Sequence, residues 1–165
     1  MSQQTRAPKF EIVELDGHPF GSSDNRVLGI LDSEGERFFN LDEEFDKSSP
    51  DIQKGINTAL EMWKQNQHKP KRHHGWTATQ HGGKYVNCYV FKHTAQQARV
   101  FGYVFHPPQN NRVVLCCLMH YATKNEDSAD TTILDELVRF GNTAEVVNAV
   151  ELFYKEQLQT KEAKL

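Results

Sequence analysis

Between Lys84 and Lys124 the sequence holds three β-rich runs separated by two short polar breaks, and this pattern limits the fold more than any other stretch. Tyr85 to Lys92 is built mainly from Tyr, Val, Cys and Phe. Thr94-Ala95-Gln96-Gln97 interrupts it, Ala98 to His106 resumes the composition, Pro107 to Asn111 interrupts again, and Arg112 to Tyr121 completes the set. Connections this short leave consecutive strands as neighbours, which predicts an antiparallel meander.

Side chains alternate across a strand, so each run divides into two faces. Arg99, Phe101, Tyr103 and Phe105 are expected on one face of the second run, opposite Val100, Gly102, Val104 and His106. In the third run Arg112, Val114, Cys116, Leu118 and His120 are expected to oppose Val113, Leu115, Cys117, Met119 and Tyr121. Both sets of the third run are largely apolar, as in a central strand covered on both sides. Lys92, His93, His120, Tyr121 and Lys124 gather at strand ends.

Charge is segregated along the chain. Met62 to Asn125 carries nine Lys or Arg, seven His and no Asp or Glu, while the flanking segments are acidic, so local charges of about −7, +9 and −5 hide beneath a net charge of −3. Such a basic middle fits binding to nucleic acid or another polyanion, with a merely solvated basic face as the alternative.

The remaining elements follow in order. Residues 1–8 read as a loose polar tail with no signal peptide. Lys9 to Leu15 and Arg26 to Leu31 read as strands joined by turn chemistry at Asp16-Gly17 and Gly21 to Asn25, and Glu36 to Phe39 as a short extended piece. In Ser48-Ser49-Pro50-Asp51 a serine can cap a helix, Pro fits its first turn, and Ile52, Ile56, Leu60 and Trp63 form one apolar stripe. Gln67 to Gly75 is a basic loop expected outside the core. After the meander, a helix is expected from Thr131 to Phe140, with Ile133, Leu134, Leu137 and Val138 on one face and Gly141 ending it. Asn142-Thr143-Ala144-Glu145 resembles a capping box opening a last helix to about Thr160, with Val146, Val147, Val150 and Phe153 or Tyr154 buried.

The expected architecture is a single α+β domain of 165 residues. Its antiparallel sheet carries the meander, helices pack on it, and an N-terminal β element is added. No apolar run approaches the ~18 residues of a membrane span. Cys88 and the adjacent Cys116-Cys117 do not make a disulfide framework and read as small core residues of a reducing, cytoplasmic compartment. His68, His73, His74 and His81 lack the i, i+4 spacing of a zinc-binding helix, so no metal and no other cofactor is expected. For Lys69, Lys71 and Arg72 the readings are phosphate contact or an inert loop.

The apolar helix, the short basic loop, the strand Tyr85 to Lys92, the strand Arg99-Val100-Phe101-Gly102-Tyr103 and the strand from Val113 to His120-Tyr121-Ala122-Thr123-Lys124 resemble the RelE/ParE superfamily of bacterial toxins, closest to its HigB-like and phage-derived branch. The resemblance covers roughly Pro50 to Phe140. Arg99, His120 and Lys124 match by position that branch's arginine-aromatic strand and its histidine-to-lysine segment. Beyond it lie an acidic β-rich front, at about residues 9–48, and an extra C-terminal helix, at about residues 143–160. The resemblance implies a RelE-like fold and the toxin of a type II toxin–antitoxin system, an endoribonuclease (mRNA interferase) acting on RNA, in the ribosome, and silenced by an antitoxin protein. Its ParE-like branch implies instead an inhibitor of a DNA enzyme such as gyrase. A non-enzymatic accessory protein whose acidic ends recruit a partner is the third alternative.

Attack of a 2′-hydroxyl on the neighbouring phosphate needs a base, an acid and cations near the phosphorane, and needs no metal. His120 titrates in the useful range. Lys92, Arg99 and Lys124 are the candidates for holding the phosphate, Arg99 bidentately. Tyr103, Tyr121 and His93 are candidates for stacking on or bonding to the nucleotide. Each has a structural alternative: Tyr103 in the core, Arg99 in an ion pair, His120 as a histidine fixing a strand end.

Overall fold

A computed structural model describes residues 10–20, 26–33, 36–106, 114–123 and 127–163. The strands are β1 (Phe10–Glu14), β2 (Arg26–Ser33), β3 (His73–Gly75), β4 (Cys88–His93), β5 (Ala98–Phe105) and β6 (Val114–Ala122). The helices are α1 (Pro50–Lys64), α2 (Asp127–Gly141) and α3 (Ala144–Ala163). All six strands join one sheet in the order β1-β2-β6-β5-β4-β3. The three β-rich runs form the antiparallel meander β4-β5-β6. The sheet as a whole is mixed and not antiparallel, because β2 runs parallel to β6, from Arg26 opposite Val114 to Ile30 opposite Leu118. The N-terminal strands therefore extend the main sheet. Parallel neighbours need a long crossover, and here it contains α1 and the first part of the meander.

β6 is the centre. Leu115 to Met119 are each no more than 1% exposed, because both faces of the sheet are covered. On one face Ser49 caps α1 by accepting the Ile52 N–H, and the stripe Ile52, Ile56, Leu60 and Trp63 packs against Leu28, Phe91, Val100 and Leu118. On the other face Leu134, Leu137 and Phe140 of α2 and Val146, Val150 and Phe153 of α3 cover Leu31, Val90, Phe101, Leu115 and Met119. Val147, expected in that stripe, is exposed. The three cysteines are buried free thiols, and desolvation pushes all of them up, Cys88 to about 12.

Two expectations about connections change. Glu36 to Phe39 forms a turn followed by one π-helical turn, Leu41–Phe45, and no strand. The basic loop after α1 is partly core: His73, in β3, is 5% exposed, its Nε2–H donating to Gln67 O at 2.8 Å and its Nδ1 accepting from the Tyr89 hydroxyl at 2.6 Å. With both nitrogens satisfied, the ring stacks on Tyr89, and a neutral histidine is cheap to bury. The expected tail, the Gly21 to Asn25 turn and the Pro107 to Asn111 break lie outside the described residues.

A contact between α1 and β4 gives a test. At Gly55, on the buried face of α1, an added Cβ would fall inside the His93 ring. Gly→Ala in an open helix gains about 1 kcal/mol, whereas overpacking costs about 1–3 kcal/mol, so Gly55→Ala is expected to lower stability by about 1 kcal/mol in urea denaturation. Stability at or above the parent's would show that the His93 ring is not held in place there.

Candidate functional site

The end of the sheet where β4 begins to turn into β5 collects the residues of interest. Lys92 and Arg99 are opposite each other, Arg99 is in turn opposite Ala122, and the Lys92 N–H donates to Arg72 O at 2.7 Å. Arg72, Lys92 and Arg99 thus occupy adjacent places in one row. Strict alternation would put His120 on the α1 face with Cys116 and Leu118. A bulge changes this: Gly102 is opposite Leu118 but Phe101 is opposite His120, so β6 carries one extra residue at Met119. His120 thereby joins Phe101, Arg99 and Lys92 on the face covered by α2 and α3, and Tyr121 turns to the α1 face.

His120 is partly buried. Its ring stacks on Phe38 with centroids 4.5 Å apart and planes 11° from parallel, and Phe38 stacks in turn on Phe140 at 5.4 Å. Phe38 O lies 2.8 Å from His120 Nδ1; a carbonyl only accepts, so Nδ1 carries the proton and, in the neutral ring, Nε2 carries the lone pair. Desolvation lowers the pKa of His120, more than the Phe38 bond raises it, so the neutral form is favoured at pH 7.

The other expected site residues separate. Tyr121 is 6% exposed and packs on Phe45, and Tyr103 is 7% exposed beneath Gly141, so neither ring presents a face to a nucleotide. His93 Nε2 lies 3.0 Å from Asp51 Oδ2 at the start of α1, on the opposite face from His120. Arg72 donates from Nη2 to Gly55 O at 2.9 Å, so it secures the loop to α1. Lys69 and Lys71 are exposed beside that row. Lys124 lies outside the described residues.

The basic segment does not form one uninterrupted cationic face. Lys84 pairs with Asp135 at 2.8 Å and the His93 ring lies against Asp51, so side chains of the acid-free middle meet acids of both flanks. Nothing local in the sequence marks Phe38 or Asn40 as site residues. The Asn40 side chain donates to Tyr121 O at 3.1 Å and accepts from Tyr121 N at 2.7 Å, the two bonds a neighbouring strand would make.

That substitution marks where the sheet opens. The β2–β6 ladder ends at Ile30 and Leu118; beyond it β2 continues with β1 to Ser33 while β6 continues with β5 to Ala122. The strands part over an open groove of about 780 Å³, lined among others by Asp32, Ser33, Glu36, Arg37, Glu43 and Glu44. Its Ala122 wall is the strand position opposite Arg99, so an acidic groove and a basic row share one end of the sheet. Among the described residues no group of three or more His, Cys, Asp or Glu is arranged to hold a metal, and no helix is long and apolar enough to cross a membrane. Comparison with protein-family models, with curated proteins and with solved structures finds no match for this chain.

The buried histidines set a pH dependence. Burial lowers the pKa of His18, His73 and His120, so the unfolded chain takes up protons near pH 6.5 that the folded chain resists. Their contribution is complete above about pH 6.5 and is lost as pH falls from there towards the lower folded values. Unfolding free energy measured by denaturant should be level between about pH 7 and 8 and fall below about pH 6.5, at up to ~1.4 kcal/mol per pH unit for each proton taken up. His120→Gln should make that fall shallower; an unchanged slope would mean that His120 titrates alike in both states.

Proposed function

We propose that the protein binds RNA and cleaves it by metal-independent attack of the 2′-hydroxyl, with His120 as base and Arg99 and Lys92 at the phosphate, in the manner of a RelE/HigB-type toxin held in check by a separate antitoxin. The observation that carries this reading is the bulge at Met119, which puts His120 on the face of Arg99 and Lys92. A regular β6 would have separated them.

In this chemistry Nε2 of neutral His120 removes the 2′-hydroxyl proton, with the ring held by the Nδ1–H bond to Phe38 O. The 2′-oxygen attacks phosphorus and the 5′-oxygen departs, leaving a 2′,3′-cyclic phosphate. Charge gathering on the non-bridging oxygens is met by Arg99 and Lys92. The departing oxygen takes its proton from an acid, for which Lys92 and Lys124 are the candidates. The low pKa favoured at His120 suits a base, which must begin unprotonated. Lys69 and Lys71 extend the cationic surface along the strand bearing the 2′-hydroxyl, and messenger RNA in the ribosome is the proposed substrate.

Purified protein incubated with a labelled single-stranded RNA should give 2′,3′-cyclic phosphate ends in the presence of a chelator. His120→Ala should lower the rate by about 10² to 10⁴-fold while leaving RNA affinity nearly unchanged. Lys69→Ala with Lys71→Ala should instead weaken binding and reduce the salt slope by about 1.4 log units per log unit of salt, at ~0.7 per phosphate contact. If neither free RNA nor translating ribosomes are cut, the nuclease reading fails; inhibition of gyrase supercoiling in the same preparations would support the ParE-like alternative.

A further inference from the structure

At the far end of the cationic row we infer a stacking site for one unpaired nucleobase, on the indole of Trp76 with the His74 ring beside it. The inference deepens the RNA reading and rests on it, since it makes the substrate a single strand that reaches past the cleaved phosphate. His74 is opposite Val90, Val90 is opposite Phe101 and Phe101 is opposite His120, so one rung crosses four strands on the face covered by α2 and α3. Strands lie about 4.8 Å apart, which sets His74 roughly 14 Å from His120. Val90 and Phe101, between them, are 2% and 1% exposed. The next rung on that face holds Lys92 and Arg99, both partly exposed, so cations lead from His120 to the β3 edge along one end of the sheet.

Trp76 follows β3 on this same face. Its ring centroid is 5.0 Å from that of His74, it packs on the cluster that contains Val90 and Phe101, and part of its surface stays open. The loop beyond it is exposed but pinned, because Thr77 N–H donates to Gln80 Oε1 at 2.8 Å and Gln80 N–H donates back to Thr77 O at 3.2 Å. An aromatic ring already held in place loses little freedom on binding a base. Lys69 and Lys71, exposed just ahead of β3, bring charge for the backbone of the strand, and the sequence from Met62 to Asn125 supplies no carboxylate to oppose it. Aromatic rings beside cations are how proteins hold single strands without reading their sequence, since every base has a π face. An acidic peptide would meet the cations but leave the indole unused.

The probe is a short 2′-O-methyl oligoribonucleotide of mixed sequence, which has no 2′-hydroxyl to attack with and so reports binding apart from cleavage. Titrated into the full chain it should quench the tryptophan emission. Trp63, the other tryptophan, is 3% exposed, so the quenching reports Trp76. Trp76→Leu should weaken binding about tenfold, the loss of one stacked base, and keep the parent's salt slope, whereas Lys69→Ala with Lys71→Ala should make that slope shallower. Trp76→Phe keeps a ring and should bind within about threefold of the parent, which separates lost stacking from lost packing. The oligomer annealed to its complement offers no free base and should leave the emission unchanged. Saturable binding without quenching, equal quenching by the duplex, or parent-like affinity of Trp76→Leu would each overturn the site. So would an absence of binding, which would remove the basic face as well. Quenching and the tenfold loss, with ordinary RNA left uncut, would keep this site and end the nuclease reading instead.

Discussion

Everything in this molecule follows from burying β6. Five consecutive residues, Leu115 to Met119, are inaccessible, so the strand needs apolar cover on both faces and a hydrogen-bonding neighbour on both edges. β5 satisfies one edge through the short meander. The other edge is satisfied by a strand from the far end of the chain, β2, in parallel. Where β2 diverges, single side chains complete the work. Asn40 bonds both backbone groups of Tyr121, and at the opposite end the Tyr154 hydroxyl accepts from Leu115 N at 3.0 Å and donates to Phe105 O at 2.9 Å. The groove exists because β2 and β6 part before either strand ends.

The parts of this arrangement legible in the sequence are those written in local patterns. Composition and short breaks located the meander, alternation sorted β5 correctly along its length, and the stripe from Ile52 to Trp63 marked the buried face of α1. The β2–β6 pairing was not legible, because strands separated by more than eighty residues leave no local trace of which edge they will join. Nor was the bulge. Met119 and His120 look like any consecutive strand residues, and although Gly102 of β5 stands at the register shift, a glycine in one strand does not say that its neighbour carries an extra residue; yet that one residue moves His120 from one face of the sheet to the other.

Charge followed a similar division. The acid-free stretch from Met62 to Asn125 was plain in the sequence, but its use was not. Lys84 pairs with Asp135 in α2, and the His93 ring lies against Asp51 at the start of α1, so polar contacts between distant blocks also connect elements that hydrophobic burial brings together. Arg72 shows the same economy without an acid, by donating to the Gly55 carbonyl. His73 entered the core for a reason that residue type alone conceals: its partners, Gln67 O and Tyr89, satisfy both ring nitrogens. A loop that is basic on average can still contribute a buried ring.

The three free thiols give the fold its own clock. Cys116 and Cys117 lie side by side on β6 and project to opposite faces, while Cys88 sits at the start of β4. Burial keeps all three protonated and out of reach, so an alkylating reagent reacts only with chains that have opened. Because the two neighbouring thiols face different helices, lifting α1 would release Cys116 and lifting α2 and α3 would release Cys117. The order in which the sulfurs are labelled therefore records which layer of the molecule peels away first.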